Sequence, residues 1–425
     1  MHLKRKLKAL FVGLYKQLLS PVLGILWIFT VIIVIPLFVA IVSGRDLFGE
    51  VIEFFAIQIS FLIALEIGFR LSYRFKYGGP YKNLIRVPIE KIFVEPHPYI
   101  PFVNKKHFLI SASIANYPLH KGRFSFDKYF TNNLRFSNGV DDSRDVVVPK
   151  PANLFRINCI GASTTGNYIH YNDTSYSYPL ELEKILQSRH GDFIEVNNCG
   201  QGGYNSADIL VRFLLQVADT DPDVIIIYHG YNDISAFLTE EFMSDYSHVR
   251  RNLGESYWKF ALAAKIPITP FKFLNFLFEK WMPIDSRNSL LGQVSKGTFN
   301  TELDPKLGLQ TYKRNLQYII EICKARKIQV ILSTYCHFLY VAIKEDPFHL
   351  LYNKIVKKEN EIMRELATEN KLVLVDNSVL VPQEEEFFVD SIHFTPSGMR
   401  LIAMNIAQVL EKLISKKTVP RKENK

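Results

Sequence analysis

The pattern of apolar and polar positions divides the chain into stretches of different character. From Gln17 to Gly44 no residue is charged. The run Pro21–Val42 inside it supplies the roughly 20 apolar residues a helix needs to cross a bilayer. A cleaved signal peptide, the competing reading, would have a shorter apolar region followed by a small-x-small site, and neither fits this run well. A second apolar run, Phe54–Leu65, is flanked by Glu53 and Glu66. Extended over residues 51–70 it is long enough to span, with Glu66 paired to Arg70 one turn later; an interfacial or buried helix is the alternative. Between Lys82 and Lys150 the pattern turns polar, proline-rich and aromatic, as in Glu95–Pro101 and Thr131–Gly139. Its prolines forbid a long helix, so short strands and loops are expected, an accessory layer on the next domain. From Asn153 onward, strand-like runs at Leu154–Ile160, Phe193–Asn197, Val224–Tyr228, Ile328–Ser333 and Leu372–Val375 alternate with helical patterns. The helical patterns are Tyr178–Arg189, Ser206–Ala218, Gln310–Ala325, Asn353–Asn370 and Thr395–Ile414. Continuous apolar strands alternating with helices predict a parallel sheet covered on both faces, a three-layer α/β domain.

Residues 236–307 interrupt that rhythm with aromatic-rich segments such as Tyr257–Ala264 and Phe271–Trp281. Three readings fit them: a lid beside the pocket, a segment resting on the bilayer, or an extra helical hairpin packed on the core. The expected organisation is a membrane anchor over 1–75 and an irregular accessory region over 76–150. A catalytic domain over 151–415 with the 236–307 insertion follows, then a basic tail over 416–425.

Charge adds a topology. The net charge is +9, concentrated at Lys4, Arg5, Lys6, Lys8 and Lys16 and again near the C-terminus. A basic segment that abuts a long apolar run fits a cytoplasmic flank on anionic membrane lipid, not a nucleic-acid site. Arg70, Arg74, Lys76, Lys82 and Arg86 lie at or beyond the end of the second run, whereas the connecting loop holds only Arg45. This asymmetry predicts a helical hairpin in the cell membrane, a multi-pass arrangement with the catalytic domain on the cytoplasmic side. The four cysteines, Cys159, Cys199, Cys323 and Cys336, form no C-x-x-C pair and are read as buried free thiols.

In a parallel sheet, ligands bind beyond the carboxyl ends of the strands, and polar turns lie there. Gly161–Gly166 follows the first strand, Asn198–Ser206 the second and Gly230–Asp233 the third, while Asp390–His393 leads into the last helix. A serine hydroxyl needs a neighbouring base to act as a nucleophile. Among these turns only His393 has a carboxylate three residues before it, Asp390. Asp390 can fix the imidazole tautomer while the other ring nitrogen takes the Ser163 proton. Acyl transfer also needs donors at the developing oxyanion. The Ser163 N–H at a helix start, the unobstructed Gly203 N–H and the Asn232 side-chain amide are the candidates. A phosphate-binding loop is excluded because Asn167 and Tyr168 stand where Lys and Ser/Thr are required. The G-x-S-x-G elbow is excluded by Thr165. His170, His229 and His337 are read as pocket lining or satisfied polar groups.

Taken in order, these four blocks resemble those of the SGNH (GDSL-like) serine hydrolase superfamily over Leu154–Leu413. The resemblance matches Ser163 to the nucleophile, Gly203 and Asn232 to the second and third blocks, and Asp390 and His393 to the terminal Asp-x-x-His. Ala162 departs from the frequent Gly-Asp-Ser pattern, at a position outside the catalytic set. The resemblance implies a flavodoxin-like sheet and hydrolysis of an ester-linked acyl group, from a glycan or a lipid, through an acyl-serine intermediate. It implies no metal or organic cofactor. Transfer of the acyl group to a sugar and a catalytically inert membrane scaffold are the alternatives.

Overall fold

The structure, a computed structural model, describes residues 47–80, 94–95, 97–110, 113–114, 119–120, 123–126, 129–139, 144–172, 174–250, 272–281 and 300–418. The chain forms two units, Met1–Pro88 with Lys259–Ser286, and Ile89–Trp258 with Arg287–Lys425.

In the first unit, helix α1 spans Leu47–Tyr77. It includes the expected second span and runs past both of its ends. The first expected span, 21–42, lies outside the described residues. Among the described residues α1 is the one helix long and apolar enough to cross a membrane, over Ala56–Lys76. Several of its large apolar side chains face outward: Ile57 is 64% exposed and Phe75 97%. Glu66, by contrast, is only 7% exposed. Arg70 Nε donates to its Oε1 at 2.6 Å, the expected i,i+4 pair. The same carboxylate accepts the N–H groups of Lys272 at 2.8 Å and Phe273 at 2.7 Å. These open a helix over Lys272–Trp281, whose first N–H groups have no carbonyl of their own to bond. Phe69 packs against Phe273 and Phe276, with centroids 5.8 and 5.0 Å away. The Lys272–Trp281 helix of the 236–307 insertion therefore packs on α1. Residues 251–271 and 282–299 lie outside the described residues.

The second unit is built on a five-stranded parallel sheet. Its strands are β1 (Phe155–Gly161), β2 (Ile194–Asn198), β3 (Val224–Tyr228), β4 (Gln329–Ser333) and β5 (Val373–Val375). The order is β2-β1-β3-β4-β5, the flavodoxin-like arrangement with its switch point between β1 and β3. All seven residues of β1 and all five of β2 and of β3 are buried, as strands covered on both faces must be.

The main helices of this unit are α2 (Tyr178–His190), α3 (Ser206–Arg212), α4 (Lys306–Ala325), α5 (Pro347–Asn370) and α6 (Pro396–Thr418). Right-handed crossovers that reverse direction after β2 put α2 and α6 on one face and α3, α4 and α5 on the other. The contacts follow this division, α2 with α6 and α4 with both α3 and α5. Local chemistry sets the helix starts. Ser177 accepts from Leu180 N, Asn205 and Asp208 form a capping box, and Asp346 caps α5 ahead of Pro347. Helix α3 ends earlier than expected, because Phe213–Val217 adopts a π-helical turn. Helix α6 continues to Thr418, so the first residues of the expected tail are helical.

The accessory region holds two-residue strands, among them Val94–Glu95, Val103–Asn104 and Tyr129–Phe130. It is tied to the carboxyl end of β2 at several points. Ser137 N donates to Asn198 O at 3.0 Å, Asn198 N to Asn138 Oδ1 at 3.0 Å, and Gln201 Nε2 to Asn104 Oδ1 at 3.0 Å. The sequence pattern gave no sign that Ile169–Tyr171 and Thr174–Tyr176 would join Ser113–Ile114 and Ser125–Phe126 in a small antiparallel sheet.

Two glycines let the first two loops meet. A Cβ on Gly200 would lie 2.3 Å from Gly166 N, and one on Gly166 would lie 2.7 Å from Gly200 C. Both obstacles are backbone and neither can swing aside. Gly200→Ala should therefore cost about 1–3 kcal/mol, the range for forced overpacking. The check is the denaturant midpoint of the full-length protein; an unchanged midpoint would contradict this close packing.

Candidate active site

The four polar turns meet at the carboxyl edge of the sheet. A single helical turn, Ser163–Gly166, follows β1. Ser163 opens it, so its N–H has no carbonyl one turn earlier to bond. From the other end of the chain, the loop before α6 brings Asp390 and His393 to the same point. Thr395 terminates this loop by accepting from Gly398 N at 3.2 Å.

The structure brings Ser163, His393 and Asp390 into one hydrogen-bonded chain. His393 Nε2 lies 2.9 Å from Ser163 Oγ, and His393 Nδ1 lies 2.8 Å from Asp390 Oδ2. The other carboxylate oxygen, Oδ1, accepts the N–H groups of Ile392 and His393, both at 2.8 Å. Burial alone would raise the Asp390 carboxyl. The His393 charge, its ring and backbone N–H groups and the Ile392 N–H outweigh burial and hold it at about 2. An ionised carboxylate only accepts, so Nδ1 carries the proton and Nε2 presents its lone pair to the serine hydroxyl. That is the tautomer a general base requires.

Gly203 and Asn232 occupy the neighbouring turns. Gly203 has φ +81°, a left-handed conformation suited to glycine. A Cβ on the adjacent Gly202 would lie 3.8 Å from Ser163 Cβ, so this turn runs directly past the serine. Asn232 Nδ2 donates to Tyr204 O at 2.9 Å. An amide nitrogen has two hydrogens, so this bond orients the side chain and leaves one donor for another acceptor.

Several supporting residues had no role assigned from the sequence. Asp233 is fully buried and accepts from His229 Nε2 at 2.6 Å, from Ser206 N at 2.9 Å and from Tyr246 Oη. It ties the third turn to the start of α3. His229 is thus a buried polar group held through Nε2, with its Nδ1 unpartnered among the described residues, and His170 pairs with Ser175 at 3.0 Å. His337 sits beside Tyr231, with centroids 5.6 Å apart, and lines a cavity of about 570 Å³ with Asn353, Lys357, Asn360 and Arg364. Burial drives the His337 imidazole down to about 4, so it is neutral. Its Nδ1 meets Asn353 Oδ1 at 3.2 Å, while Nε2 is buried and has no partner among the described residues. All four cysteines are free and buried. No group of His, Cys, Asp and Glu able to hold a metal occurs among the described residues.

A sequence profile of the GDSL-like Lipase/Acylhydrolase family matches residues 159–401, more than half of the chain. No curated protein matches it in sequence. Three solved structures illustrate its structural neighbours. A GDSL-like lipase from Bacteroides thetaiotaomicron is 16% identical, with 63% of this chain and 93% of that one covered and a TM-score of 0.37. A lipase/acylhydrolase from Enterococcus faecalis is 17% identical, covering 61% and 97%, with a TM-score of 0.38. An acetylxylan esterase from Geobacillus stearothermophilus is 16% identical, covering 60% and 93%, with a TM-score of 0.36.

The Asp390 environment has a consequence for stability. An unfolded aspartate titrates near about 3.9, whereas the folded one titrates at about 2. Between these values the unfolded chain binds more protons, so the Asp390 contribution is present above the window and is lost as pH falls through it. Asp390→Asn should flatten this part of the curve of denaturant midpoint against pH. An unaltered slope would show that the native carboxylate is not held in its charged form.

Proposed function

Because the chain belongs to the GDSL-like lipase/acylhydrolase family, we propose that it is a membrane-anchored serine esterase that cleaves an ester-linked acyl group of a glycan or a lipid. The observation that carries this reading is the Ser163–His393–Asp390 chain, with contacts of 2.9 and 2.8 Å. In the proposed reaction Ser163 Oγ attacks the ester carbonyl carbon as its proton passes to His393 Nε2. Asp390, ionised at neutral pH, stabilises the resulting imidazolium. The negative charge on the carbonyl oxygen faces the Ser163 and Gly203 N–H groups and the free hydrogen of the Asn232 amide. Collapse of the tetrahedral adduct expels the alcohol, which takes the proton from His393 and leaves Ser163 acylated. Water then repeats the sequence, with His393 as base, and releases the carboxylic acid.

A fluorophosphonate probe should label the wild-type protein and fail to label Ser163→Ala. Ser163→Ala and His393→Ala should each remove most turnover of 4-nitrophenyl acetate. The double variant should be little worse than either, because residues that act as one unit do not give multiplying losses. Independent, multiplying losses would contradict the shared mechanism. Asn232→Ala should lower kcat on the order of 100-fold, the effect of losing one oxyanion donor.

The proposed placement is a helical hairpin over residues 21–42 and about 51–70, with the catalytic unit on the cytoplasmic side. The basic residues on both outer flanks support it, as does the outward-facing apolar surface of α1. Single cysteines at Gly49 and Lys425, in a chain freed of its native cysteines, test it. A membrane-impermeant thiol reagent on intact cells should reach position 49 and not 425, and labelling at 425 would sink the hairpin.

A further inference from the structure

The turn that carries Asn232 is strained, and the group that holds it lies outside the four sequence blocks. Asn232 N donates to Gly230 O at 2.9 Å, which closes a three-residue turn around Tyr231. Tyr231 has φ +72°. A γ-turn with positive φ at its centre is the rarer, strained form, and a bulky residue there stays only where its surroundings over-determine it. The turn aims the Tyr231 N–H away from its own strand, and Glu359 Oε2 accepts it at 2.9 Å. Glu359 projects from α5, 128 positions later in the chain. It is fully buried. A Cβ on Gly230 would lie 3.2 Å from the same Glu359 oxygen, so the carboxyl rests flush on the turn. Its second oxygen, Oε1, is buried and has no partner among the described residues. Burial pushes the carboxyl well above the usual carboxylate range, the Asp233 charge adds to this, and the Tyr231 N–H only partly opposes it. Glu359 therefore holds the turn through one accepting oxygen.

We infer that Glu359 is a positioning residue that clamps the strained turn at Tyr231 and so aims the Asn232 amide at the oxygen of the reacting ester carbonyl. This rests on the oxyanion role proposed for Asn232. If Tyr231 relaxed to negative φ, the following peptide would rotate and the Asn232 side chain would swing away from Tyr204 O, the acceptor that orients it. Glu359 touches neither the substrate nor the reacting atoms.

The test is a set of variants of the full-length chain assayed with 4-nitrophenyl acetate. Glu359→Leu should lower kcat about tenfold with KM nearly unchanged, because an oxyanion donor acts on the transition state more than on bound substrate. Glu359→Gln keeps an accepting oxygen opposite Tyr231 N–H and should retain most of the turnover. A residue that only fills space would show the same loss in both variants. The two positions should also be coupled. Asn232→Ala, costing about 100-fold alone, should cost only about tenfold in the Glu359→Leu background. If Glu359→Leu does not fold, Glu359→Asp, which withdraws the carboxyl from the turn, carries the same expectations. A full 100-fold loss from Asn232→Ala in both backgrounds, or wild-type kcat in Glu359→Leu, overturns the inference alone. Wild-type kcat in Asn232→Ala, with Ser163→Ala inactive, overturns the oxyanion role and the inference with it.

Discussion

All five strands of the sheet run in one direction, so their carboxyl ends lie along a single edge. Everything at the candidate site depends on this constraint. Ser163 leaves β1, Gly203 follows β2 and Asn232 follows β3, while the connections return at the opposite edge. The strand order reverses between β1 and β3, and the crossovers there diverge to opposite faces and leave a crevice. The serine turn and the Asn232 turn stand on its two sides. His393 reaches the same place from 230 residues away, because the chain after β5 passes the same edge before α6 begins.

Convergence alone would leave the side chains loose, and buried polar contacts fix them. Asp390 spends one oxygen on two backbone N–H groups and the other on His393, so its position and the histidine tautomer are set together. Asp233 ties the third turn to the start of α3 in the same manner. The accessory region closes around these loops from outside. His120 Nε2 lies 3.0 Å from Phe388 O, and Leu119 N donates to Val389 O, just before Asp390. A region whose described strands are only two residues long thus braces the turns that carry Gly203 and Asp390, as a rigid site requires.

The first unit shows the same economy. A carboxylate inside a long apolar helix is costly unless it is paired. Glu66 accepts from Arg70 and from two N–H groups at the start of the Lys272–Trp281 helix. One acidic residue therefore satisfies a cation on its own helix and the open end of another.

Much of this was legible in the linear sequence, and the reason is periodicity. A parallel strand buried on both faces is a continuous apolar run, so Val224–Tyr228 was bounded to the residue and the others to within one position. The candidate site residues were legible because three of the four blocks sit just after a strand and because Asp390 stands three residues before His393, a spacing one loop can close on itself. What the sequence could not supply was anything that depends on residues far apart in the chain. No local pattern connects Glu359 to Tyr231, Gly200 to Gly166, or Glu66 to Phe273, since each contact exists only after separate elements have packed. The positive φ of Tyr231 was equally invisible, because an aromatic residue does not favour that conformation and only a tertiary partner can hold it there. Local periodicity determined the elements and their chemistry; the contacts that aim that chemistry belong to the tertiary structure alone.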